Sequence, residues 1–131
     1  MEKIFWIADD DPDDRMIIRE AFEENDGDQT LLFFEDGEMV MAQFKERLDF
    51  RHYPSLLILD LNMPKINGLE LLGLIKNDAN TKHIPVVILS TSKNKQDKEK
   101  GMNLGADDFI TKPFSFEQMI NITKGLIEKY G

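Results

Sequence analysis

Residues 56–68 read LLILDLNMPKING. The run Leu56–Leu59 is wholly apolar, with no polar alternation. A short continuous run of this kind reads as a strand buried on both faces, as in a parallel sheet. It ends on a carboxylate, Asp60. The loop that follows carries Pro64 and finishes on the turn pair Asn67-Gly68. Working outward in both directions, the same unit recurs. Ile4–Ala8, Thr30–Phe34, Val86–Leu89 and a weaker Asp108–Thr111 are the other short runs. Amphipathic stretches of roughly ten to sixteen residues separate them and suit crossover helices. Five such units in one chain predict a doubly wound α/β fold. No internal repeat or low-complexity linker interrupts the alternation.

Several helix boundaries are marked in the sequence. Asp11 is placed to cap a first helix, with Pro12 at its first position and Asp13 and Asp14 near the positive end of the dipole. Ile17, Ile18, Ala21 and Phe22 supply its apolar stripe. Asp36-Gly37 precedes a second helix carrying Val40, Phe44 and Leu48. Asn67-Gly68 precedes a third, carrying Leu69, Leu72 and Ile75. The last helix opens on Ser115 with Gln118 three residues on, a capping box, and Phe114 and Met119 stand at hydrophobic-staple positions. Its apolar face runs from Phe116 through Met119, Ile120, Thr123, Leu126 and Ile127 to Tyr130. The fourth helical stretch, Lys93–Leu104, differs: only Met102 and Leu104 are apolar, and Gly101 lowers its propensity by about 1 kcal/mol relative to alanine. It is expected to be loosely held and mostly solvated.

The chain has 131 residues, with sixteen basic and twenty-five acidic side chains and a net charge of −9. One domain of ordinary size is the expectation, residues 1–131. The acidic balance argues against bulk binding to nucleic acid or to an anionic membrane. There is no cysteine, which excludes disulfides, thiolate metal sites and a cysteine nucleophile. No apolar run approaches the ~18 residues of a membrane span, and acids follow the first apolar run too soon for a signal peptide. A cytoplasmic protein is expected.

Asp9, Asp10, Asp11, Asp13 and Asp14 directly follow the first strand. In open α/β sheets, ligands bind beyond the carboxyl ends of the strands. If the first and third strands are neighbours, about 4.8 Å apart, Asp9 or Asp10 converges with Asp60. Crowded carboxylates raise one another's pKa, and a hard divalent cation such as Mg²⁺ relieves the repulsion. Asp11, Asp13 and Asp14 read instead as helix-start residues and solvated charge. Ser90 ends the fourth run and Lys112 the fifth, so a hydroxyl and an ammonium join the carboxylates at the same rim. This set suits a phosphoryl group carried on an aspartate. Asp60 is the nucleophile, Mg²⁺ and Lys112 neutralise the phosphoryl oxygens, and Ser90 donates a hydrogen bond to one of them.

With Asp9-Asp10, LLILDLNMPKINGLELL around Asp60, ILSTS around Ser90 and GADDFITKPF around Lys112, the chain resembles the response-regulator receiver domains of two-component signalling over essentially its whole length. The resemblance implies a flavodoxin-like (βα)5 fold with parallel strand order 2-1-3-4-5. It implies that Asp60 is the phosphoacceptor, and that Asp9, Asp10, Asp60 and the backbone carbonyl of Asn62 hold Mg²⁺. Ser90 takes the switch serine or threonine position, Phe109 the switch aromatic position, and Lys112 contacts the acylphosphate. It also implies a cis Lys112–Pro113 bond. A one-residue slip in the triplet gives Asp10-Asp11 as the metal pair instead of Asp9-Asp10. The chain resembles stand-alone receivers without an output domain, including phytochrome-linked ones. Such a protein is a phosphoacceptor rather than an enzyme. Its implied partners are a sensor histidine kinase or histidine phosphotransfer protein, then a downstream protein, or a second copy through the face of the fourth helix, fifth strand and fifth helix.

Other readings are weaker. A constitutive interaction module of the same fold would not need so complete a site. A phosphohydrolase would need a general acid near Asp60, where Leu61 and Asn62 follow. Asp9, Asp11, Asp13 and Glu20 match calcium-loop positions, but Asp14 stands where that loop needs glycine. Gly68 and Gly73 lack the lysine and hydroxyl of a phosphate-binding loop, because Leu74 and Ile75 follow. His52 and His83 precede strands, at the end of the sheet away from the acids, so the phosphoryl donor is external. Trp6 reads as core. Asn62 and Ser92 are expected to tune dephosphorylation.

Overall fold

The computed structural model describes residues 3–46 and 53–131. Five strands, β1 (Ile4–Ala8), β2 (Thr30–Phe34), β3 (Leu56–Leu59), β4 (Val86–Ser90) and β5 (Asp108–Thr111), alternate with five helices. The helices are α1 (Pro12–Glu23), α2 (Gly37–Glu46), α3 (Gly68–Lys76), α4 (Lys95–Asn103) and α5 (Phe116–Tyr130). All neighbouring strands pair in parallel, in the order β2-β1-β3-β4-β5. This is the doubly wound, flavodoxin-like arrangement expected from the sequence.

The strand residues alternate between two cores. Phe5, Ile7, Leu56, Ile58, Val87 and Leu89 pack with Ile18, Ala21 and Phe22 of α1 and with Met119 and Leu126 of α5. Trp6, Ala8, Leu57, Leu59, Val86 and Ile88 pack with the α2 and α3 residues Val40, Phe44, Leu71, Leu72 and Ile75. Two covered faces explain why the strand sequences are continuously apolar. The edge strands depart from that rule. β2 is mostly half-buried, and β5 is exposed at both ends.

Capping follows the sequence closely. Asp11 accepts from the Asp13 amide, Asn67 from the Glu70 amide, and Ser115 from the Gln118 amide. Asp36 accepts from the Met39 amide at the start of α2. Other expectations are corrected. Ile17 is 37% exposed, since the stripe of α1 turns on Ile18, Ala21 and Phe22 instead. Phe114 is 92% exposed, so no staple closes onto Met119; the Lys93 ammonium lies 5.0 Å from its ring centre instead. The Lys112–Pro113 bond is trans, as no peptide among the described residues is cis; trans is the lower-energy isomer even before proline. Leu48 and His52 lie outside the described residues. His83 is exposed ahead of β4. No helix among the described residues is long and apolar enough to cross a membrane.

α4 is mostly solvated, and Gly101 is its only buried residue. That glycine is a contact point, which its low helix propensity does not reveal. A Cβ there would stand 2.6 Å from Cδ1 of Ile88 and 3.6 Å from the Phe109 ring. The missing side chain lets the helix settle onto β4 and β5.

Candidate functional site

The parallel register brings the carboxylates together. Ala8 pairs with Leu59, and the Asp60 amide donates to the Ala8 carbonyl at 3.0 Å. Asp9 and Asp60 therefore leave adjacent strands side by side. Carboxylate oxygens of Asp9, Asp10 and Asp60 all lie within 4.8 Å of one another. Asp11 is outside this group and instead caps α1, its carboxylate accepting from the Asp13 amide. Asp9 and Asp60 are buried, and Asp10 faces solvent.

Lys112 enters from the end of β5, its amide donating to the Ser90 carbonyl at 2.8 Å. Its ammonium donates to Asp14 Oδ2 at 2.7 Å, Asp9 Oδ2 at 2.8 Å and Asp60 Oδ2 at 3.3 Å. Asp14 is thus part of the site, contrary to its reading as solvated helix-start charge. No spacing rule marks a contact between residues 98 positions apart. Arg15 is a second residue that the sequence did not single out. Its guanidinium donates to the Asp9 carbonyl at 2.7 Å and fixes the turn out of β1.

The electrostatics follow from burial. Desolvation pushes Asp9 up to about 6, against the opposing hydrogen bond from Lys112. Desolvation also raises Asp60, although the Lys112 charge and the Asn62 and Leu61 amides pull the other way. Burial alone would lower Lys112, but its bonds to Asp14 and Asp9 and the charge of Asp60 together hold it above the ordinary lysine value. Asp60 Oδ1 is buried and receives no well-formed hydrogen bond among the described residues. A buried carboxylate oxygen with no well-formed hydrogen bond among the described residues, close to further carboxylates, is a strained arrangement. A hard dication with oxygen ligands would relieve it, so the donor set fits Mg²⁺.

The loop after Asp60 is held tightly. The Gly68 amide donates to the Leu61 carbonyl at 2.9 Å. A Cβ on Gly68 would lie 2.3 Å from the Asp60 carbonyl oxygen, so only glycine allows α3 to begin there. On the other side, Ser90 is fully buried. Its hydroxyl accepts from the Ser92 amide at 3.1 Å. The Ser92 hydroxyl in turn donates to Asp97 on α4 at 2.7 Å. Phe109 is half-buried against the core shared by α2 and α3. A cleft of about 250 Å³ borders its ring between Ser92, Lys95, Lys98 and Thr111.

A family model, the response regulator receiver domain, matches residues 5–124. The chain belongs to the response regulator receiver domain family. Receiver domains bind Mg²⁺ in an acidic pocket and interact with histidine kinases and downstream effectors. This receiver is 29% identical to Response regulator Rcp1 of Synechocystis sp. (strain ATCC 27184 / PCC 6803 / Kazusa), over 95% of its own length and 86% of the relative's. Among solved structures, it is similar to the phosphorylated cyanobacterial phytochrome response regulator RcpA. The TM-score is 0.88 and the identity 33%, covering 99% of this chain and 94% of that one. The Mn²⁺-bound form of Rcp1 superposes with a TM-score of 0.83 at 29% identity, covering 95% of this chain and 91% of that one.

Proposed function

We propose that this receiver accepts a phosphoryl group on Asp60 from a phosphohistidine of a sensor histidine kinase or histidine phosphotransfer protein. In this reading Mg²⁺ is held by Asp9, Asp10, Asp60 and the backbone carbonyl of Asn62, and output is by protein–protein contact. The observation that carries it is the Asp60 carboxylate itself. It is buried, one oxygen has no well-formed hydrogen bond among the described residues, and an ammonium stands 3.3 Å from the other. A phosphorylated and a Mn²⁺-bound relative support the same chemistry here.

An Asp60 oxygen attacks phosphorus as the N–P bond of the donor phosphohistidine breaks. The electron pair of that bond returns to the imidazole nitrogen, and an acylphosphate is left on Asp60. When bound, the dication supplies positive charge against the carboxylates and the transferred oxygens. Lys112 turns one N–H to a phosphoryl oxygen. The Ser90 hydroxyl accepts from Ser92 in the resting arrangement, so its own proton is available for a second phosphoryl oxygen. As Ser90 moves, Phe109 turns inward and the shift reaches α4 through Ser92 and Gly101. Asn62 and Ser92 tune the attack of water that ends the signal. A downstream protein or a second copy of the chain docks on the α4–β5–α5 face.

The test is incubation with Mg²⁺ and acetyl phosphate, followed by intact-mass and peptide analysis. One phosphoryl group is expected on Asp60, chelation of the metal should prevent it, and Asp60→Asn should abolish it. Equal labelling of Asp60→Asn, or labelling that ignores the metal, would overturn the reading.

A further inference from the structure

A lysine ammonium has three N–H donors and no acceptor. In Lys112 all three are engaged, and the shortest contact goes to Asp14, at 2.7 Å against 3.3 Å for Asp60. Among the described residues, Asp14 is the one Lys112 partner outside the carboxylates placed to hold a cation, Asp9, Asp10 and Asp60. A dication would draw negative charge from Asp9 and Asp60 and leave the Lys112–Asp14 pair intact. Asp14 is also held in place. It lies in the first turn of α1, where the helix dipole favours its charge. A phosphoryl oxygen arriving on Asp60 therefore meets a lysine held by two short bonds, to Asp14 at 2.7 Å and Asp9 at 2.8 Å, of which only the first goes to a carboxylate outside the cation group.

We propose that Asp14 is a positioning residue that holds the Lys112 ammonium back from Asp60 and so slows phosphorylation. This rests on the proposed phosphoacceptor role of Asp60. Each N–H that turns to the phosphoryl group must first leave a charged partner, and the Asp14 carboxylate is the competitor that a cation held by Asp9, Asp10 and Asp60 would leave in place. Neutralising it releases one donor at the reacting oxygens and leaves the cation ligands unchanged.

The measurement is the initial rate of Asp60 labelling by acetyl phosphate at saturating Mg²⁺, with Mg²⁺ affinity read separately by calorimetry. Asp14→Asn should label about fivefold faster than the wild type, the scale set by a partly exposed ion pair. Asp14→Glu, which keeps the charge, should fall between the wild type and Asp14→Asn. Asp13→Asn removes the same charge from the same exposed turn and has no contact with Lys112, so its rate should stay within about 1.5-fold of the wild type. Mg²⁺ affinity should change less than about threefold in Asp14→Asn, because Asp14 is not among the cation ligands. A gain in rate cannot come from a damaged fold. If Asp14→Asn labels no faster than Asp13→Asn, or loses Mg²⁺ affinity more steeply than that, the restraint is refuted while the phosphoacceptor role stands. If the wild type is not labelled on Asp60 at all, both fail.

Discussion

β3 and β5 end at the same pocket and are built differently. β3 lies between β1 and β4 and is buried at all four positions. β5 is an edge strand with both ends exposed. The loop leaving β3 turns back at once and is closed by Gly68 against the Asp60 carbonyl. The loop leaving β5 projects Phe114 into solvent. The carboxylate thus follows a fully buried strand, while the ammonium that faces it follows a partly exposed edge strand. Elements with few buried contacts open at the lowest free energy. Rearrangement is therefore expected in β5 and α4, with Asp60 itself stationary.

The largest effect expected from this contrast is on the core. Leu57→Ala, at a fully buried site, should destabilise by about 3 to 4 kcal/mol in urea denaturation. Ile110→Ala on half-buried β5 should lose about half of that or less. Equal losses would break the comparison. Next is Gly68→Ala. The added methyl meets backbone that cannot yield, so a loss of about 2 to 3 kcal/mol is expected, together with weaker Mg²⁺ binding. An unchanged midpoint would show that the β3 loop is softer than described.

Mg²⁺ should come third. At ten times its dissociation constant it stabilises by about 1.4 kcal/mol, and the gain should depend on pH. Burial raises Asp9 from 3.8 to about 6. The folded state then holds that proton more tightly than the unfolded chain, so the stability of the cation-free protein declines as pH rises from about 4 through 6. The dication competes with the proton. Its shift in Tm should therefore be small at pH 5 and larger at pH 7.5, and a shift independent of pH would argue against Asp9 as a ligand. The smallest effect should be Phe114→Ser, within about 0.5 kcal/mol of the wild type, since that ring is already in solvent.

The same contrast governs what could be read from the sequence. Leu56–Leu59 and Val86–Leu89 were legible because strands buried on both faces leave no polar positions. β2 and β5 were weaker signals because edges tolerate mixed residues. Asp9, Asp10, Asp60, Ser90 and Lys112 could be grouped because each ends or closely follows a strand, and parallel strands end at one rim. Asp14 could not, because its partner lies across the sheet and its position in α1 suits any solvated acid. Gly101 was legible only as a poor helix former, since the Ile88 and Phe109 side chains that require it are distant in sequence. Phe114 matched a staple in spacing, but spacing does not report where the chain turns after Pro113.

Trp6 is the sole tryptophan. It is fully buried in β1, with Phe34 at 4.9 Å and Phe44 at 4.7 Å between ring centres. Its indole N–H has no hydrogen-bond partner among the described residues. The chain therefore carries its own optical probe: an indole in an apolar setting emits towards the blue, and exposure to water on unfolding should move that emission red without any attached dye.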